Sequence, residues 1–515
     1  MGMATDTAMA VRALDLAPAL LVAALSTIAT PVGAGEWTIT PSISVNETAT
    51  DNVDLVQRNR TSSLITDIVP GINILGTGDR GNLRFDYQMH NLYYSDDSSR
   101  NNHQNYLNAA GTLEALENWL FIDANASISQ QNLSAFRGST SYYVDTNNSN
   151  NTTETSTYRL SPYFKGVFGV STEYELRYNL AKTSYSELNA YDTATQELLA
   201  KLKGLTRFSK LGWAIDASKQ KTDLDRGRDT EADLFRGIVT YQYDPQFRFS
   251  LIGGRESNDY VTLDKESHTI KGLGFEWSPT ERTLFSASRE DRFFGNSDNI
   301  SFTHRTAGTA WKFRQTKDVV TSTDQATGSV GTYFSLFDSM FISAIPDPVA
   351  RAAFVNSLLQ SNGISPTAQL QGGFASTGVT LEKRRELSFA LNGVRNTVTF
   401  ALTQTDSEDM SKSAGLGWYS GVDFAYLDQI RQTGASVNWS HKLTGLSSLT
   451  GSLSRLKSEG RGGSTIDTDE DMFTVNFLTK VGPSTNIGVG FRRTDFDGTT
   501  NYTENAVTGT FSHRF

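Results

Sequence analysis

The chain has no cysteine, which excludes a disulfide framework and any thiolate-bound metal. Histidine is scarce too. The six residues at 90, 103, 268, 304, 441 and 513 show no metal-ligand spacing on one face, so no metal site is expected. Beyond Ala34 no stretch approaches the ~20 apolar residues of a membrane-spanning helix. Basic charge is in deficit: past residue 34, 45 Lys and Arg stand against 54 Asp and Glu once Arg12, Asp6 and Asp15 are set aside. A net charge of about −9 argues against a nucleic-acid partner, whose phosphates need a basic surface. No Asn/Ser/His or Asp/His constellation stands out, so neither an enzyme nor a cofactor is expected.

What the chain does have is strand periodicity. Leu83, Phe85, Tyr87 and Met89 alternate with Arg84, Asp86, Gln88 and His90, and Tyr174, Leu176, Tyr178 and Leu180 alternate with Glu173, Glu175, Arg177 and Asn179. Period two places each set on its own face of a strand. Short turns recur, among them Asp79-Arg80-Gly81, Glu117-Asn118, Asp244-Pro245, Ser278-Pro279-Thr280, Gln315-Thr316-Lys317, Asn392-Gly393 and Gly482-Pro483-Ser484. Longer polar loops lie between them, such as 95–102, 134–151, 223–230, 404–423 and 458–470. Short turns at one end and long loops at the other is the asymmetry of a transmembrane barrel. Ten short turns with both termini on their side predict an all-β, closed antiparallel barrel of about 22 strands over 35–515.

Tryptophan placement agrees. Trp37 opens the first strand, and Trp119, Trp213, Trp277, Trp311 and Trp439 lie close to short turns, as a headgroup-level girdle requires. Tyr93-Tyr94, Tyr185, Tyr260, Phe293-Phe294 and Phe496 are expected to form the outer girdle. Residues 1–34 carry one basic residue, an apolar stretch from Ala17 to about Val32 and then Val32-Gly33-Ala34, which reads as a signal peptide cut after Ala34. The terminal strand ends Phe511-Ser512-His513-Arg514-Phe515 and resembles the ending that the barrel-assembly machinery of Gram-negative bacteria reads.

One segment, 324–373, breaks the rhythm. Asp347-Pro348 followed by Val349, Phe354, Leu358, Leu359 and Asn362-Gly363 predicts a capped helix on the extracellular side. An isolated helix of that length is marginal in water, so it is expected to fold over or into the extracellular mouth and constrict it. The candidate constriction residues are Val349, Phe354, Leu358 and Leu359. Arg84, Arg159, Arg177, Arg236, Arg248 and Arg492 lie in the phase opposite to the aromatic residues and are expected to face the lumen, since mid-membrane Arg costs ~2–4 kcal/mol on the lipid face. Asp223-Leu-Asp225-Arg226-Gly227-Arg228-Asp229 and the acidic run Asp467 to Asp471 read as solvated loops, the arginines opposing cation binding.

Three stretches, GTLEALENWLFIDANASISQQ (111–131), TYRLSPYFKGVFG (157–169) and NGVRNTVT (392–399), with the strand from Trp37 to Pro41, resemble the outer-membrane proteins associated with the PEP-CTERM/exosortase system. That resemblance implies a Gram-negative outer membrane, lipid and lipopolysaccharide as surroundings, and exopolysaccharide or its export components as partners. The role expected is a passive pore or export conduit for glycan-type polymers. The alternative is a non-conducting structural or receptor barrel that anchors surface polysaccharide or exported proteins.

Overall fold

The computed structural model describes residues 35–139, 144–147, 149–186, 191–225, 227–321, 333–342, 345–361, 373–376, 378–410 and 422–515. The segment read as a signal peptide lies outside them. Twenty-two strands form one sheet. They are β1 (Glu36–Thr50), β2 (Ser63–Gly78), β3 (Gly81–Tyr94), β4 (Asn102–Leu116), β5 (Leu120–Asn132), β6 (Thr152–Phe168), β7 (Thr172–Tyr185) and β8 (Thr193–Leu205). Next come β9 (Leu211–Leu224), β10 (Thr230–Gln242), β11 (Phe247–Asn258), β12 (Glu266–Thr280), β13 (Thr283–Arg292), β14 (Gly295–Arg305) and β15 (Thr309–Val320). The ring ends with β16 (Thr380–Asn392), β17 (Asn396–Asp409), β18 (Gln429–Lys442), β19 (Ser447–Arg461), β20 (Ile466–Lys480), β21 (Thr485–Asp497) and β22 (Tyr502–Arg514).

Each strand pairs antiparallel with its sequence neighbours, and β1 closes the ring on β22 from Ser42↔Arg514 to Thr50↔Ala506. Closure matters because lipid offers no hydrogen-bond partner to a free strand edge. Phe515 joins the seam, its amide donating to the Pro41 carbonyl at 3.0 Å.

The outward phase is apolar. Leu387, Leu391, Phe400, Leu402, Leu453, Phe473, Val489 and Phe491 are all exposed, as are Trp37, Trp119, Trp277, Trp311 and Trp439 near the short-turn end. From Val481 up to Phe473 the chain advances eight residues, which at about 3.3 Å per residue and a 35–45° tilt rises roughly 20 Å. That matches the thin hydrocarbon layer of the bacterial outer membrane. The chain is an outer-membrane β-barrel of a Gram-negative bacterium, with its short turns and both barrel ends on the periplasmic side.

Two expected turns are strand. Gln315-Thr316-Lys317 lies inside β15, whose turn is at Thr306–Gly308, with the Thr306 amide bonded to the Thr309 carbonyl. Ser278-Pro279-Thr280 ends β12, where the ladder shifts register between Trp277 and Thr280 and a proline costs no ladder bond. The loop expected at 404–423 lies at 410–428, since β17 runs to Asp409 and β18 begins at Gln429, and the one expected at 458–470 shrinks to 462–465. At 315–317, 404–409, 458–461 and 466–470 the strands continue past the membrane with charged outward residues, which read as loop.

The outer girdle also differs. Tyr94, Tyr260 and Phe496 are buried, Phe496 stacked on Tyr502 at 5.3 Å. Of the residues expected there, Tyr93 is exposed.

Candidate functional site: two layers across the lumen

The upper layer is the β5–β6 connection. It leaves the wall and reaches strands on nearly the opposite side of the ring. Ser134 Oγ and the Ala135 amide both donate to the Asp423 carboxylate, at 2.7 Å each, and Asp423 stands in the β17–β18 connection. Behind this contact Phe136 packs with Phe424, Leu427 and Ile430 in a buried cluster. Farther along, the Ser139 amide donates to Glu470 Oε2 of β20 at 3.1 Å. Asn147 donates to the Asn52 carbonyl at 3.3 Å, and Gln104 exchanges bonds with the backbone of Asp145. The connection therefore spans the mouth from β4 to β20. The acidic loop residue expected to be solvated at 470 is one of its buried anchors.

Burial raises the Asp423 carboxyl above the ordinary range, outweighing Ser134, Ala135 and Arg137, which lower it. The closed layer thus holds this proton more tightly than an opened one would. Closure is favoured as pH falls and loosens as pH rises through the window upward from the ordinary carboxylate value. Open probability in a planar bilayer is expected to fall between neutral pH and about pH 4, and Asp423→Asn should flatten the response. An unchanged pH response in that variant would rule out Asp423 as the titrating group.

The lower layer is the 321–379 insertion. Its described residues include two helices, α1 (Tyr333–Phe341) and α2 (Pro348–Ser361), where one was expected. Asp347 caps α2, accepting from the Ala350 amide at 2.7 Å, in the role its position before Pro348 implies. Phe341 meets Phe354 edge-to-face at 4.9 Å, and Arg351 Nε bonds Asp338 at 2.8 Å, joining the helices into a hairpin. Phe337, Phe341, Val355 and Leu359 are buried against Ala390 and Ala401, with Ala310 and Leu358 at the edge.

Those alanines fix the depth. Ala310 is the second residue of β15, Ala390 lies near the end of β16, and Ala401 is in the first half of β17, so the seat is on the periplasmic half of the wall. Across the lumen Arg84, early in β3, lies over the Phe334 ring at 4.7 Å. Lys442, the last residue of β18, is 6.0 Å from the Phe354 ring. The hairpin therefore does not stop at the extracellular mouth, where it was expected. It descends through the lumen and bridges β3 to β15–β18 low in the barrel. Three small side chains in the inward phase leave the hollow that receives it. The side chain of Val349, and Trp418 in the 411–421 stretch, lie outside the described residues.

The other arginines are placed on the inner wall and mostly neutralised there. Arg177 pairs with Asp123 and Glu175 at 2.8 and 3.0 Å. Arg236 bridges Asp216 and Glu290 at 3.0 and 2.9 Å, tying β9, β10 and β13. Arg248 pairs with Glu276, and Arg492 with the fully buried Glu504, each at 2.9 Å. Arg159 lies in the same phase as the buried Thr157 and Ser161. Paired in this way, Arg177, Arg236, Arg248 and Arg492 cross-link the wall. Among the described residues no cluster of His and carboxylates has metal-ligand geometry, and Asp223 is bound by Lys221 at 2.6 Å.

No protein-family model and no curated protein matches the chain. Solved structures do. The FrpB iron transporter from Neisseria meningitidis (F5-1 variant, apoprotein form) aligns with a TM-score of 0.49 at 9% identity, over 92% of this chain and 81% of that one. The siderophore receptor PirA from Acinetobacter baumannii gives 0.47 at 8%, over 94% and 81%. A loop-deletion mutant of OmpT, an outer membrane protein of Vibrio cholerae, gives 0.33 at 9%, over 94% and 100%.

Proposed function

We propose that this barrel is a gated passive conduit across the outer membrane, with the α1–α2 hairpin as its gate. The observation that carries this reading is how the hairpin is held. It makes apolar contact with three alanines and a cation–π contact with Arg84, and it takes no place in the strand ladder. A body seated in that way can leave without breaking the wall. The width of the ring favours passage over a filled core, because about 22 strands enclose more space than wall side chains fill.

The cargo proposed is a glycan-type polymer, in keeping with the resemblance to barrels that accompany exopolysaccharide loci. No catalytic step is invoked. Planar-bilayer recording of the purified chain should show brief openings over a closed baseline, and a strain lacking it should secrete less polysaccharide. A barrel that stays silent under all voltages, with secretion unchanged, would point to the anchoring role instead.

A further inference from the structure

Above the apolar belt the outer wall of β15–β19 carries basic residues in rows. Arg385 stands one outward position above the exposed Leu387. One step higher, Lys317, Lys383 and Arg431 share a row, through the pairings Lys317↔Lys383, Lys383↔Asp406 and Asp406↔Arg431. A further step up is Arg461, opposite Gln429. A groove of about 340 Å³ runs between them, lined by Lys317, Lys383, Arg431 and Arg461 together with Asp406, Glu408 and Glu459.

The carboxylates are already committed. Asp406 is shared by Arg431 and Arg385, and Glu459 by Lys457 and Arg461. Glu408 accepts from Gln429. Lys317 and Lys383 stand directly opposite one another with no ion pair among the described residues, the Lys317 ammonium lying 5.8 Å from the Phe294 ring. Like charges so placed repel each other across the strands, unless an anion lies between them.

We propose that this face binds the phosphorylated headgroup of an outer-leaflet glycolipid, with a phosphate between Lys317 and Lys383 and further contacts from Arg385, Arg431 and Arg461. Height identifies the occupant. The apolar residues below put the first row at the membrane surface, and the rows from Arg385 to Arg461 climb roughly 10 Å at two residues per step. A single phosphodiester covers one row. A headgroup of phosphorylated sugars covers all three, and arginine and lysine are suited to its phosphates as fork and point charge. The proposal is independent of whether the lumen conducts.

Native mass spectrometry of the detergent-solubilised full chain tests it, with purified lipopolysaccharide, phosphatidylglycerol and inorganic phosphate as separate probes. Wild type should retain lipopolysaccharide through buffer exchange, and Lys317→Gln with Lys383→Gln should lower its affinity at least about tenfold. Lys383→Arg should keep it, and so should Lys271→Gln, which alters an outward lysine on β12. Lipid-free, Lys383→Gln should melt no lower than wild type, because it relieves a repulsion, while gaining less from added lipopolysaccharide. Equal retention by the double variant, equal loss in Lys271→Gln, or equal binding of phosphatidylglycerol or phosphate would overturn the proposal.

Discussion

Removing residues 330–370 and joining the ends with a short Gly/Ser linker should raise single-channel conductance several-fold and sensitise cells to large antibiotics. The deletion removes no strand of the wall, since 330–370 falls between β15 and β16 in the chain. A graded version acts on the seat alone. Leu359 is fully buried in the helix–wall cluster, and Leu359→Ala should cost about 2–5 kcal/mol of packing there. Because that loss falls on the seated state and not on the barrel, it shifts the hairpin towards leaving. At about 1.4 kcal/mol per factor of ten, even the lower figure multiplies the open fraction more than tenfold. The substitution should therefore give long bursts where wild type gives brief openings, and the deletion should give a steady open level. Heat-modifiable migration on a detergent gel verifies assembly of each variant. A correctly assembled deletion with wild-type conductance would remove the hairpin from the role of gate.

Most of the wall was legible in the sequence. Period-two alternation, turn residues and indoles near the short turns depend on neighbours one or two positions away, and these survive without tertiary information. The strand stretches that read as loop at the extracellular end share one physical origin. Outward residues such as Lys317, Asp406, Glu459 and Asp469 are polar because the strand has left the hydrocarbon, and polarity alone reads as loop. Tyr94, Tyr260 and Phe496 failed for the converse reason: an aromatic residue near a strand end suits a membrane surface and an interior loop cluster equally well.

The lumen was much less legible. Asp347-Pro348 announced α2 through local capping chemistry, while α1 had a signal in Phe334, Phe337, Met340 and Phe341 at helical spacing that stood unread among polar residues. The depth of the hairpin is set by Ala310, Ala390 and Ala401, which the ring brings together from three strands. Small inward residues at paired positions low in adjacent strands were the trace they left. The contact of Ser134 with Asp423, 289 positions away, had no local trace.

The largest conductance change should come from opening both layers at once. The upper layer and the hairpin lie one below the other in the same lumen, so an ion meets them in series and their resistances add. Asp423→Ala removes the acceptor of two buried donors, Ser134 Oγ and the Ala135 amide, each left unsatisfied at about 1–3 kcal/mol. The upper layer should loosen, yet the hairpin below still sets the current. The hairpin deletion alone is limited in turn by the upper layer. Asp423→Ala alone should give little gain, the deletion its several-fold gain, and the combination a gain well beyond their sum, which is the behaviour of two resistors and not of two parallel paths. Planar-bilayer recording of the four proteins (wild type, Asp423→Ala, the 330–370 deletion and both) measures this directly. If the combined gain only equals the sum of the separate gains, the layers do not obstruct one route, and ions pass one of them by a way around its edge.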